Sequence, residues 1–225
     1  MTPYYTRERA RAYDRRWRRF TARTLAAVHA QIDWPALRRI PEQHGRPPRL
    51  LDVACGTGRL LHRLLAALPT ADGYGVDGSA AMLGQARRTL RGQHVHLMHL
   101  ALGPGATARL PYAPGTFDLI TCTNALHDIP APVALLAGLR RLLAADGQLV
   151  VEDFARRPPP FPWPLFAWLL GRVEGGPVQA YTVTEARSLC HQAGLRVVEG
   201  RAFPVDWFWR AWVLRTTQEE APRGR

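Results

Sequence analysis

Residues Arg49–Gly58 read RLLDVACGTG. The apolar run predicts a buried strand over Arg49–Ala54, which empties into a turn bare at Gly56 and Gly58. A leucine-rich helical pattern follows over Gly58–Leu68. Glycines let the backbone approach a ligand closely, and a helix N-terminus offers unpaired N–H groups and the positive end of the helix dipole. Strand, bare turn and helix in that order make an edge that accepts an anion, either phosphate or carboxylate.

Outward from this stretch, strand and helix alternate. Strands are expected over Gly73–Asp77, Val95–Leu102, Phe117–Thr123 and Gly147–Phe154, with helices over Ser79–Arg91 and Ala131–Ala145. Short apolar strands separated by helices indicate parallel βαβ units. Upstream, Tyr13, Trp17, Phe20, Leu25, Val28 and Ile32 recur at helical spacing and predict one helix over Tyr4–Ile32, which a Pro/Gly-rich run, Pro41–Pro48, sets apart from the domain. Downstream, Arg156–Ala180 is rich in proline and carries Trp163, Phe166 and Trp168. A helix over Thr184–Ala193 then stops at Gly194. Strands over Leu195–Phe203 and Trp207–Thr216 are joined by Pro204–Asp206, a connection short enough to permit only antiparallel pairing. The expected organisation is a helical extension over 1–48, a domain over 49–216 with an insert at 156–180, and a disordered tail over 217–225.

The second strand ends in Asp77, nineteen residues after Gly58, where a carboxylate can accept hydrogen bonds from both hydroxyls of a ribose. A dinucleotide site carries a third glycine three residues after the second, for packing around a pyrophosphate; this chain has Leu61 there. Asp52 adds a carboxylate just before the turn, which suits an ammonium group. Either acid alone reads as a cap. Together with the glycine turn they describe S-adenosylmethionine: its carboxylate at the turn, its amine near Asp52 and its ribose at Asp77.

The segments LDVACGTGRL, GYGVDGSAAMLGQAR, LPYAPGTFDLI, TNALHDI and LLAADGQLVVEDF follow one another in the order of the class I methyltransferase motifs. The chain most resembles the broad group that methylates quinones, natural products and other small metabolites, from about Arg49 to Phe154 and more weakly to the end. The resemblance implies a Rossmann-like α/β fold: a seven-stranded, mostly parallel sheet, its last strand antiparallel, with helices on both faces in a three-layer sandwich. It implies S-adenosylmethionine as cofactor. Asp52, Ala54, Gly56 and Gly58 would hold the methionine end, Asp77 the ribose, and Gly78 and Met82 would flank the adenosine. Ala106 and Thr107 would meet the adenine edge through backbone, and Asn124 would lie beside the methionine moiety. Two positions depart from the pattern. Ala54 stands where relatives commonly have Gly, and ALGPGATARL around Ala106 offers no acid for the adenine amino group.

His127 and Asp128 follow the fourth strand, at the carboxyl edge where open α/β sheets bind ligands. A hydroxyl acceptor must lose a proton, and His is the side chain most readily poised for that near neutral pH. His127 is therefore the candidate general base. The plainer reading has His127 packing and Asp128 capping the next helix. Methyl transfer can also proceed by alignment in a closed, dry site. Tyr13 and Trp17 form the buried stripe of the first helix or a lid over the acceptor. Trp163, in FPWPLFAWLL over Phe161–Leu170, belongs to a pocket wall or to a membrane-facing patch, since Trp favours interfaces and Arg156, Arg157 and Arg172 suit anionic lipid. Tyr13, Trp17, Asp128 and Trp163 are thus the candidate pocket residues. His94 and His96 share a strand face and His99 points the other way, so no metal site is expected.

All thirty basic residues are Arg, against eighteen acids, giving a net charge of +12, and eight of them lie between Arg7 and Arg23. With no Lys, Schiff-base and P-loop lysines are excluded. The basic balance suits nucleic acid, an anionic lipid surface or an acidic substrate, or else a solvated surface. Enzymes that methylate base amino groups often carry Asn/Asp-Pro-Pro-aromatic after the fourth strand. Asn124-Ala-Leu-His127 departs from that, so the expected partner is a small acceptor of hydrophobic character. RNA methylation and a non-catalytic cofactor-binding domain are the alternatives, and no obligate protein partner is evident. Cys55, Cys122 and Cys190 are odd in number and widely spaced, which indicates a reducing compartment. With no apolar leader and no run of ~18 apolar residues, a cytoplasmic location is expected, with peripheral contact at a membrane surface.

Overall fold

The computed structural model describes residues 6–102, 110–157, 160–174 and 178–219. Its strands are β1 (Arg49–Val53), β2 (Asp72–Asp77), β3 (Val95–His99), β4 (Phe117–Thr123), β5 (Leu143–Phe154), β6 (Leu195–Pro204) and β7 (Arg210–Gln218). They form one sheet in the order β3-β2-β1-β4-β5-β7-β6. The first five pair in parallel, and β7 runs antiparallel between β5 and β6. The expected seven-stranded α/β sheet with an antiparallel last strand is the fold observed. The strand order turns back between β1 and β4, and a crevice opens there beyond the carboxyl ends of the strands.

The helices are α1 (Arg7–Arg16), α2 (Arg18–Gln31), α3 (Trp34–His44), α4 (Arg59–Ala67), α5 (Ala80–Thr89), α6 (Pro132–Leu142), α7 (Trp163–Glu174) and α8 (Val183–Gln192). Alternate residues of the central strands face opposite layers. Leu50, Leu119 and Val150 pack with Leu25, Val28, Leu37, Leu61 and Leu64 of the N-terminal and α4 helices. Leu51, Ile120 and Val151 pack with Leu136, Leu139, Ala186 and Cys190 of α6 and α8. Each buried Leu, Ile or Val among these contributes about 1.5–3 kcal/mol relative to exposure.

The N-terminal segment departs from the single helix expected over Tyr4–Ile32. Trp17, at φ −100° and ψ 12°, divides it in two: α1 leans on α5, while α2 lies across β5 and β7. One straight rod cannot serve both directions. Helix α3 precedes and enters the proline-rich run. Pro35 occupies the first turn, where no N–H is needed, the Asp33 side chain accepts from the Ala36 N–H at 3.1 Å, and Gly45 at φ +62° closes the end. Beyond it, Arg46 grips the buried Asp118 through two bonds of 2.7 and 2.8 Å, which fixes the chain's approach to β1. The proline-rich insert contains α7. The last strand starts three residues later than expected, because Asp206 accepts the N–H groups of Phe208 and Trp209 at 2.8 and 2.6 Å and holds Trp207 in a turn. The strand also reaches into the expected tail, since Gln218 donates to the Leu143 carbonyl at 2.6 Å.

Candidate functional site

A cavity of about 880 Å³ lies over the carboxyl ends of β1, β2 and β4, within the size range of small-molecule sites. Its floor is the turn after β1. Ala54, Gly56 and Gly58 all take the left-handed conformation, at φ +58°, +54° and +77°. Glycine adopts this region freely, whereas an L side chain is strained there by about 1–2 kcal/mol, so the Ala54 departure has a physical cost. Gly58 does not line the cavity. A Cβ there would stand 2.8 Å from Leu90 Cδ1 and 3.2 Å from Ala86 Cβ, so its bareness lets α4 and α5 close together behind the turn.

Two acids stand beside that floor. Asp52 is buried and accepts from the Thr121 hydroxyl at 2.7 Å. Burial pushes its carboxyl up to about 7, with Thr121 opposing and the charge of Asp77 adding. Asp77 accepts from the Gly56 N–H through Oδ2 and the Ser79 N–H through Oδ1, each at 2.8 Å. Burial raises its pKa and those two bonds restrain the rise. Each carboxylate oxygen has a second lone pair, so further donors can be accepted from the cavity.

The remaining walls come from further along the chain. Tyr13 and Asp14 of α1 and Thr21 and Leu25 of α2 close one side, and Thr57 donates its hydroxyl to Asp14 at 2.8 Å. Gly78, Met82 and His99 form the β2–β3 side, with His99 Nε2 3.0 Å from the Gly78 carbonyl. Asn124, at φ +49°, and Asp128 complete the wall beyond β4. The structure therefore brings Tyr13, Asp52, Ala54, Gly56, Asp77, Gly78, Met82, Asn124 and Asp128 around one cavity. Trp17, His127 and Trp163 do not line it. Ala106 and Thr107 lie outside the described residues.

His127 belongs to a 3₁₀ turn, Leu126–Asp128, and is buried behind the wall with its ring against Phe154 at 4.6 Å. Its backbone N–H donates to Asp153 at 2.9 Å, and its Nδ1 lies 2.9 Å from the same carboxylate. Asp153 also accepts from the Phe154 N–H at 2.7 Å. Nε2 lies 3.4 Å from Asp128 Oδ2. The histidine thus stands between a buried acid that orients it and an acid on the cavity wall. The other histidines are dispersed: His94 pairs with Asp72 and His96 stacks on Tyr74. Among the described residues, no group of three or more His, Cys, Asp or Glu side chains is placed to hold a metal ion.

Asp14, Thr57, His99 and Asp153 are the site residues that pattern alone missed. Asp14 sits among arginines and reads as part of a solvated helix face. Asp153 lies inside an apolar strand, and a buried acid directly before an aromatic residue was the available signal.

Residues 51–149 match the family model described as a methyltransferase domain. The chain is 35% identical over 114 residues to a demethylmenaquinone methyltransferase of Thermus thermophilus, covering 51% of this chain and 49% of that protein. It is 32% identical over 161 residues to a ubiquinone biosynthesis O-methyltransferase of Aromatoleum aromaticum, covering 67% and 65%. The match spans about half the length of most of the curated relatives. Among solved structures, it superposes with a TM-score of 0.73 on a chain from the complex of the Haloferax volcanii Trm112 methyltransferase activator with a methyltransferase. The identity is 15%, covering 95% of this chain and 96% of that one, a likeness of fold alone.

Proposed function

We propose that this chain is a class I S-adenosylmethionine-dependent methyltransferase, a reading supported by its match to a methyltransferase domain model, and that it binds S-adenosylmethionine over the β1 turn. We propose further that it transfers the methyl group to a small-molecule acceptor of hydrophobic character. The observation that carries this reading is the meeting of Asp52, Gly56 and Asp77 at one cavity floor. The donor set fits the cofactor. The buried Asp52 carboxyl suits an ammonium group, the bare turn before α4 suits a carboxylate, and Asp77 keeps acceptor capacity for two ribose hydroxyls. When bound, the sulfonium supplies an electrophilic methyl group and departs as a neutral thioether.

The chain's own part is to align and to exclude water. Met82, Gly78 and His99 would border the adenosine, and Asn124 the methionine end. Tyr13, Thr21 and Leu25 would cover the acceptor. In this reading Asp128 receives the acceptor's proton at the wall. His127, 3.4 Å behind it, holds that proton as an imidazolium opposite the Asp153 carboxylate, the positioning residue, until the exposed Asp128 returns it to water. The three free cysteines support a cytoplasmic location in this reading.

Calorimetry with S-adenosylhomocysteine tests the cofactor half: saturable binding supports it, and no heat at millimolar ligand sinks it. Transfer of labelled methyl from the cofactor into a lipid-soluble extract, rather than into RNA, tests the acceptor half.

A further inference from the structure

Helix α7 is apolar on both faces. Trp163 and Leu170 pack on Phe154, Val178 and Ala180, and Phe166 meets Phe208 and Trp209 at ring distances of 5.4 and 5.7 Å. The opposite face, at helical spacing, carries Leu165, Trp168 and Leu169, which are 58%, 55% and 49% exposed. Trp207, 91% exposed on the β6–β7 turn, joins the same aromatic assembly through Phe208 at 5.6 Å. A helix apolar all round is ordinarily covered on every side; here one side faces outward.

Guanidinium groups stack on rings across this assembly. Arg172 lies 4.6 Å from the Trp168 ring, Arg157 5.0 Å from Phe161 and 5.5 Å from Phe208, and Arg16 5.7 Å from Trp17. Trp17 continues through Phe20 to Trp209 at ring distances of 5.9 and 6.0 Å. Exposed Trp and Leu between cations match the chemistry of a headgroup layer: apolar chains below, phosphates at the level of the arginines. With twelve residues, α7 is too short to span a bilayer and suits a position in the interface plane.

We propose that this face docks on an anionic lipid bilayer. Leu165, Trp168, Leu169 and Trp207 enter the boundary between headgroups and acyl chains, and Arg16, Arg157 and Arg172 meet lipid phosphates. The docking face and the cavity share their walls. Helix α2 carries Phe20 in the aromatic assembly and Thr21 on the cavity, and Phe154 touches both Trp163 and His127. Supply of a lipophilic acceptor from the bilayer follows if the proposed methyl transfer holds. The docking itself does not rest on that reading.

The test is cosedimentation of the full chain, without cofactor, with phosphatidylcholine vesicles and with vesicles one-third phosphatidylglycerol, followed also by tryptophan fluorescence. Binding is expected to be at least about tenfold tighter to the anionic vesicles, with a blue shift. Arg172→Gln and Arg157→Gln are each expected to weaken anionic binding about fivefold. The double variant Trp168→Ala with Trp207→Ala should weaken it about tenfold and remove the blue shift. Unchanged S-adenosylhomocysteine affinity or unchanged circular dichroism shows each variant to be folded. Failure to bind either vesicle overturns the proposal, as does equal binding to both. Anionic binding undiminished by the tryptophan variants would reduce it to general basicity, and self-association abolished by those variants would make the face a protein interface; both overturn it.

Discussion

With its carboxyl pushed up to about 7 by burial, Asp52 is only part-ionised near neutrality. An ammonium group placed beside it favours the ionised form, so binding an amino-acid end there releases a proton. If the carboxylate alone binds, the competent fraction is about one in eleven at pH 6, about half at pH 7 and about ten in eleven at pH 8. That is about a tenfold gain in affinity, or about 1.4 kcal/mol. Calorimetry with S-adenosylhomocysteine at the three pH values, in two buffers of different ionisation heat, measures both the gain and the released proton. Asp52→Asn carries the ligand's own amine titration without the acid, so the wild-type to variant affinity ratio should climb about tenfold from pH 6 to 8. A flat ratio would refute the placement of the amine beside Asp52. Stability moves the other way. An unfolded Asp titrates near about 3.9, and the folded chain holds the proton up to about 7. This group's contribution is therefore full below the unfolded value and is lost as pH rises through the folded one.

Asp77→Asn keeps one acceptor oxygen where two now take the Gly56 and Ser79 N–H groups; the same calorimetry should show a loss of roughly tenfold to a hundredfold, and retained affinity counts against the ribose role. Ala54→Gly relieves a residue at φ +58° at the cost of unfolded-state entropy, for a net gain of up to about 1 kcal/mol, read as a Tm higher by about 2–4 °C; a lower Tm would show that the turn tolerates Ala without strain. Asp153→Asn loosens the His127 ring, and kcat should fall at least about tenfold with cofactor affinity within about twofold; parallel loss of both would make the pair scaffolding. Glu152 is fully buried, among the described residues neither of its carboxylate oxygens has a hydrogen-bond partner, and burial raises its pKa well above the usual range. Glu152→Gln should therefore raise Tm more at pH 8 than at pH 5; a pH-independent change would refute the buried-acid account.

The β1-turn side of the cavity was legible because its parts are local. Strand β1, the turn and α4 are continuous in sequence, and the spacing to Asp77 fixes the neighbouring strand. Gly58 shows the limit of that reading: its bareness is explained by Leu90 and Ala86, 32 and 28 residues away. The run Pro41–Pro48 reads as a boundary, yet Pro41 lies within α3. Trp207–Trp209 carries strand-like composition, but Asp206 captures its N–H groups first.

The α1, α2 and β4 side of the cavity is assembled by contacts that no local period encodes. Thr57 reaches Asp14 across 43 positions, Asn124 reaches Thr24 across 100, and His127 is placed by Asp153 on a neighbouring strand. Each of these side chains reads locally as a surface helix polar group, a turn former or a strand interruption. Their shared position at the carboxyl edge comes from the strand order alone, because α2 must cross β5 and β7 before α1 can lean on α5. The break at Trp17 is what permits that path. The same break carries Trp17 and Phe20 toward Trp209 while Tyr13 and Asp14 face the β1 turn, so one short interruption of helix sets both the cover of the cavity and the edge of the aromatic face.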